Sequence, residues 1–130
     1  MSEADVERVR EGFLALDREG IEGLLAYIDP EFEGVVPPDL SLEPDTYRGH
    51  DGIRRYFDTF AAEVDELHFT ADELIDAGDA VIIVLRVTGR GRGSGVPVDW
   101  KVVNRIIVRH GMVVAITAHA TIDEARSIQI

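Results

Sequence analysis

The apolar residues of this chain change their spacing near its middle, and that change narrows the folds open to it. In the first half they recur at three- and four-residue intervals; from about Leu67 they fall into β-branched runs cut by glycine. The first pattern is that of helices with one buried face, the second that of strands. Helices followed by a run of strands predict an α+β layer arrangement.

Val6, Val9, Phe13 and Leu16 share one helical face, opposite Glu7, Arg8, Arg10 and Glu11. Gly20 ends that segment, and Ile21, Leu24, Leu25 and Ile28 begin a shorter second stripe. Asp29-Pro30 closes it, because a residue before proline is pushed out of the helical region. A short strand is expected over Phe32 to Val36, then a loop through Pro37, Pro38 and Pro44. Gly49-His50-Asp51 introduces a third helix with an apolar face of Ile53, Tyr56, Phe57, Phe60, Ala61 and Val64.

Four strands follow: Leu67 to Asp76, Ala80 to Arg90, Pro97 to Arg109 and Met112 to Thr121. Connections as short as Ala77-Gly78-Asp79, the arch Gly89 to Gly95, and His110-Gly111 predict antiparallel neighbours. Val81-Ile82-Ile83-Val84 reads as shielded on both faces. The helices can cover only one, so a second copy of the chain is expected on the other, giving a homodimer.

Length and charge bound the function. At 130 residues the chain reads as a single domain over residues 1–130. Its 25 acidic residues outnumber 13 basic ones for a net −12, which argues against nucleic acid or an anionic membrane as partner. Zero cysteines exclude disulfides, thiolate catalysis and a cysteine-ligated zinc. No apolar run approaches the ~20 residues of a membrane span. The acidic start Met1 to Asp5 is unlike a secretory signal, so a cytoplasmic location is expected.

The run Tyr47-Arg48-Gly49-His50-Asp51-Gly52-Ile53-Arg54-Arg55-Tyr56-Phe57 resembles the Gly-His-x-x-Ile segment that opens the third helix of SnoaL-like proteins, in the nuclear transport factor 2-like superfamily. The arch Arg90 to Val98 and the opening helices ending at Asp29-Pro30 are similar too, so the resemblance covers nearly the whole chain. It implies three N-terminal helices on a strongly curved antiparallel sheet, a cone-shaped apolar pocket, and commonly a dimer. It also implies a range of activities, since polyketide cyclases, ketosteroid isomerases, epoxide hydrolases and non-catalytic binders share this fold.

The resemblance can be tested against catalytic sets residue by residue. Isomerase-like members hold an enolate with a phenol and a buried acid after a carboxylate base forms it. Those positions fall on Phe13, near Asn104 or Arg105, and near Val35, and all three chemistries are missing. Limonene epoxide hydrolase-like members use Arg-x-Asp and a last-strand aspartate. Here Arg86-Val87-Thr88 keeps only the arginine, and the aspartate lands near Ala118. One residue further lies His119, a competent acid/base at neutral pH. Alternation puts Val114, Ile116, Ala118 and Ala120 on one face and Thr117 and His119 on the other, so His119 reaches the pocket only if a bulge shifts the register.

On the preceding strand Trp100, Val102, Asn104, Ile106 and Val108 share a face, which makes Trp100 and Asn104 pocket-lining candidates. The glycine-rich arch lacks dinucleotide spacing and precedes a strand, so it reads as a hairpin connection and not a phosphate loop. His50, His68, His110 and His119 show none of the short spacings of metal ligands. His50 reads as structural and His110 as a turn residue. Glu31 and Glu33 are the carboxylates expected nearest the pocket mouth, whereas the acidic runs Asp39 to Asp45 and Glu63 to Glu66 read as solvated surface. Tyr27, Tyr47 and Tyr56 can each offer a hydroxyl.

The resulting expectation is a domain without metal or cofactor that binds a hydrophobic or aromatic small molecule. Phe13 and Trp100 would form walls, Asn104 and Tyr56 would orient the ligand, and His119 would be the acid/base of any isomerase-, cyclase- or hydrolase-like step. The alternative is a non-catalytic binding or dimerisation domain.

Overall fold

The computed structural model describes residues 2–36 and 45–126. Helix α1 (Glu3–Glu19) starts with a reciprocal cap: Ser2 Oγ accepts the Asp5 N–H and the Asp5 carboxylate accepts the Ser2 N–H, both at 3.2 Å. Gly20, at φ +77°, ends it. Val9, Phe13 and Leu16 are buried on its inner face. Helix α2 (Ile21–Leu25) has only five residues and stops before the Asp29-Pro30 boundary expected for it.

Strand β1 (Ile28–Val36) therefore begins earlier than expected and contains Pro30. Proline has no N–H for a ladder, and the register of β1 shifts between Ile28 and Glu33, around that residue. The loop expected up to Arg48 also needs correction, because β2 (Asp45–Arg48) pairs with β1. The three prolines of that loop and the acidic residues from Asp39 up to β2 lie outside the described residues.

Next come α3 (Gly49–Glu63), β3 (Val64–Asp76), β4 (Val81–Gly91), β5 (Pro97–Arg109), β6 (Met112–His119) and a short α4 (Ile122–Arg126). Val64, read as the end of the helical face, is instead the first residue of β3. His110 and Gly111 both take positive φ in the turn between β5 and β6, which a two-residue hairpin requires.

The strands form one six-stranded sheet in the order β2-β1-β6-β5-β4-β3. It is mixed and not wholly antiparallel: β1 runs parallel to β6, with Gly34 beside Ile116, and every other pair is antiparallel. Hairpin rules speak only of strands adjacent in sequence, so they could not reveal this partner. Among the described residues no helix is long and apolar enough to cross a membrane.

Register fixes the two faces. Ile83 pairs with Asn104, Leu85 with Val102 and Val87 with Trp100, and this face packs on Phe13, Leu16, Ile53 and Phe57 of α1 and α3. Ile82, Val84 and Val103 point the other way and gather around Ala125 of α4. Both faces of β4 are thus covered within one chain, and α4 shields the residues that a second copy was expected to shield. Each fully buried Ile or Val here contributes about 1.5–3 kcal/mol of burial.

Candidate functional site

The segment around Gly49 builds the floor of the site. Gly49 takes φ +64°, which seats the start of α3 against β1. His50 Nε2 lies 2.8 Å from the Ile28 carbonyl oxygen, tying the two elements. A Cβ on Gly52 would fall 2.7 Å from the Tyr47 carbonyl carbon, so only glycine lets β2 and α3 approach this closely. The approach buries Tyr47, whose ring meets that of Tyr56 edge-on at 5.3 Å.

Two adjoining cavities follow. The inner one, about 30 Å³, is bounded by Phe13, Phe32, Ile53, Tyr56, Asn104 and Ile116 among others, and has room for a water or a small group. It shares Val36, Tyr47, Tyr56 and Ala118 with an outer cavity of about 1,100 Å³. That volume suits a drug-sized ligand. Phe60 and Trp100 form part of the outer wall, their rings 6.4 Å apart.

Asn104 is 4% exposed, yet its side chain makes no hydrogen bond among the described residues. No fully enclosed side-chain nitrogen or oxygen among the described residues lacks a partner, so the Asn104 amide keeps accessible surface, and the inner cavity that Asn104 borders is where a water or ligand atom can meet it. The Tyr56 hydroxyl is likewise without a hydrogen-bond partner among the described residues. Burial, with a smaller contribution from Tyr47, pushes its pKa up to about 12. It stays neutral at physiological pH and is able to donate.

His119 borders the outer cavity but is the cross-strand partner of Val103, whereas Ala118 partners Asn104. Asn104 and His119 therefore lie on opposite faces of the sheet. The His119 ring is buried, with Nε2 2.9 Å from Thr117 Oγ1 and Nδ1 3.5 Å from a Glu124 carboxylate oxygen on α4. The structure thus gathers Phe13, Tyr56 and Asn104 at the inner cavity and Tyr56, Trp100 and His119 at the outer one.

Phe13, Val35 and Asn104, the positions matched to the isomerase set, all border the inner cavity, while Arg105 faces α4 and bonds Asp79 at 2.8 Å. Arg86 also lies on the far face and holds Asp99. Glu31 and Glu33 do not reach either cavity: both are exposed, and Glu33 pairs with Arg48. The carboxylates at the outer cavity are Asp58, Glu63 and Asp99. Asp58 and Glu63 sit at the edge of the apolar face of α3, where helical spacing marks them as solvated and says nothing of a cavity beside them. Among the described residues no group of three or more His, Cys, Asp or Glu is arranged to hold a metal.

Mixed sheet, helices on its inner face and paired cavities together define a nuclear transport factor 2-like fold. More narrowly, the family model for the SnoaL-like domain matches residues 7–116, and the chain belongs to that family. A nuclear transport factor 2-like protein from Burkholderia thailandensis is 30% identical, with 88% of each chain covered and a TM-score of 0.75. One of unknown function from Burkholderia pseudomallei is 23% identical over 95% of each chain, TM-score 0.76. TerC, crystallised with polyporic acid, is 20% identical over 89% of this chain and 90% of its own, TM-score 0.73. No curated protein matches the chain.

Proposed function

We propose that this domain binds a hydrophobic small molecule in the two cavities, which form the wide and narrow ends of one tapering, cone-like pocket. The observation that carries this is Asn104 at the narrow end, its amide open to the inner cavity with no hydrogen bond to the described residues, next to an aromatic-walled outer cavity. With the neutral Tyr56 hydroxyl it offers a ligand oxygen two hydrogen bonds, while Phe13 and Trp100 supply apolar contact. TerC, the similar fold crystallised with polyporic acid, supports a pocket of this kind. The test is a thermal-shift panel of steroids, aromatic polyketides, terpenoid epoxides and fatty acids. A ligand at about 100 times its dissociation constant should stabilise the fold by about 2.7 kcal/mol. Asn104→Leu should roughly halve that shift, and silence across the panel would overturn the reading.

A second reading adds catalysis without a cofactor. It is favoured by His119, which borders the outer cavity and has a carboxylate beside its other nitrogen, the arrangement of an acid/base held by an orienting group. Once a substrate is found, unchanged turnover in His119→Ala would remove it. The homodimer belongs to the same proposal. Ile107 and Ala115 are half-buried on the face away from the cavities, leaving apolar surface for a second copy. A monomeric mass by light scattering at micromolar concentration would exclude it.

A further inference from the structure

We infer that the outer cavity selects ligands bearing a protonated or quaternary amine; this rests on the cavity being the binding site proposed above. Among the described residues five charged side chains besides His119 line it: Arg55, Asp58, Glu63, Asp99 and Lys101. Three are engaged elsewhere. Arg86 Nε donates to Asp99 at 2.8 Å, Lys101 pairs with Asp72 at 3.5 Å, and the Arg55 guanidinium lies 4.4 Å over the Tyr47 ring. Asp58 and Glu63 have no side-chain hydrogen bond or ion pair among the described residues. With Asp99 neutralised by Arg86 and Lys101 by Asp72, the wall is left with two carboxylates, Asp58 and Glu63, against the single charge that Arg55 keeps over the Tyr47 ring, a net negative balance.

Trp100, the chain's single tryptophan, lines the same cavity and is 44% exposed. An open indole face with carboxylates nearby attracts organic cations, by the ring quadrupole at contact and by charge at longer range. The net charge of −12 adds a field of the same sign. At the adjoining inner cavity the Asn104 amide is open to a polar ligand atom. The ligand class that satisfies both ends has an apolar body, an oxygen at the inner end and an ammonium at the mouth. An acidic ligand meets repulsion there.

Trp100 emission reports on this wall directly. The probes are phenyltrimethylammonium, its neutral isostere tert-butylbenzene, and 4-tert-butylbenzoate, titrated by fluorescence and calorimetry at low salt. The cation should bind about tenfold more tightly than the neutral probe, and the anion most weakly. The preference should shrink towards unity in Asp58→Asn/Glu63→Gln, and again at ~1 M salt, where the screening length is about 3 Å. Equal binding of cation and neutral probe, or a preference unchanged by the double substitution, overturns the charge selection and leaves the binding function standing. If no probe binds while a ligand of the thermal-shift panel does, the charge selection falls and the binding function stands; silence of the probes and the panel alike overturns both.

Discussion

Asn104 on β5 and Ala118 on β6 are cross-strand partners, and the next pair, Val103 with His119, faces the other way. This single step along the sheet decides which polar group borders the inner cavity. Because side chains alternate with a period of two, a shift of one residue would exchange the roles of Asn104 and His119.

Asn104→Leu removes a buried amide that makes no hydrogen bond among the described residues and replaces it with a side chain of similar size. The unfolding free energy should stay within about 1 kcal/mol of wild type or rise. Affinity for an oxygen-bearing ligand should fall about tenfold. Urea denaturation and calorimetry check the two arms, and a stability loss above about 2 kcal/mol would mean the amide is satisfied within the protein.

Tyr56 gives a pH prediction. Its pKa is 10.0 when exposed and about 12 in the fold, so the folded state holds the proton more tightly. The associated stability is complete below pH 10 and is lost as pH rises from there towards 12, by an amount of order 2 kcal/mol. Tyr56→Phe should flatten that slope and remove the latest-ionising phenol from an ultraviolet titration.

Gly52→Ala would drive a Cβ to 2.7 Å from the Tyr47 backbone, forcing β2 and α3 apart. The cost should be about 1–3 kcal/mol, read as a fall in melting temperature. Gly20→Ala is the control: nothing lies within 4 Å, and only its φ of +77° opposes the change. That substitution should cost about 1–3 kcal/mol through backbone strain alone, with the β2–α3 contact unchanged.

The contact of His119 with Glu124 spans 3.5 Å, and the Glu124 side chain is 47% exposed. A double-mutant cycle with His119→Ala and Glu124→Ala should return a coupling below about 1 kcal/mol. His119→Ala alone should cost more than the coupling, because it also leaves Thr117 unpaired and empties a packed position.

How legible the sequence was depends on distance along the chain. Helical spacing placed Val9, Phe13 and Leu16 on the buried face of α1, and strand alternation put Trp100, Val102, Asn104 and Ile106 on the face that meets it. The limits of β5 were readable from Pro97 to Arg109 because turn residues bracket it. What was not readable depends on partners remote in sequence. Pro30 looked like a helix stop because nothing local shows that β1 begins at Ile28 beside Val113. Tyr47 lay in an unperiodic stretch, and only the close approach of Gly52 reveals why it is buried. Asp58 and Glu63 carry a solvent-facing pattern, and a cavity beside them is invisible to periodicity.

The parallel seam between β1 and β6 also sets an order of assembly. The N-terminal helices and the hairpins of β3, β4 and β5 can form from nearby residues, but β1 has no inner neighbour until Met112–His119 has been synthesised. Closing that long loop is slow, because chain entropy is lost before the contact forms. Ala118, which touches both cavities, arrives with that last strand. On the ribosome the two cavities are therefore among the last parts of the molecule to exist, and a chain cut short before β6 lacks the strand that joins β1 to β5.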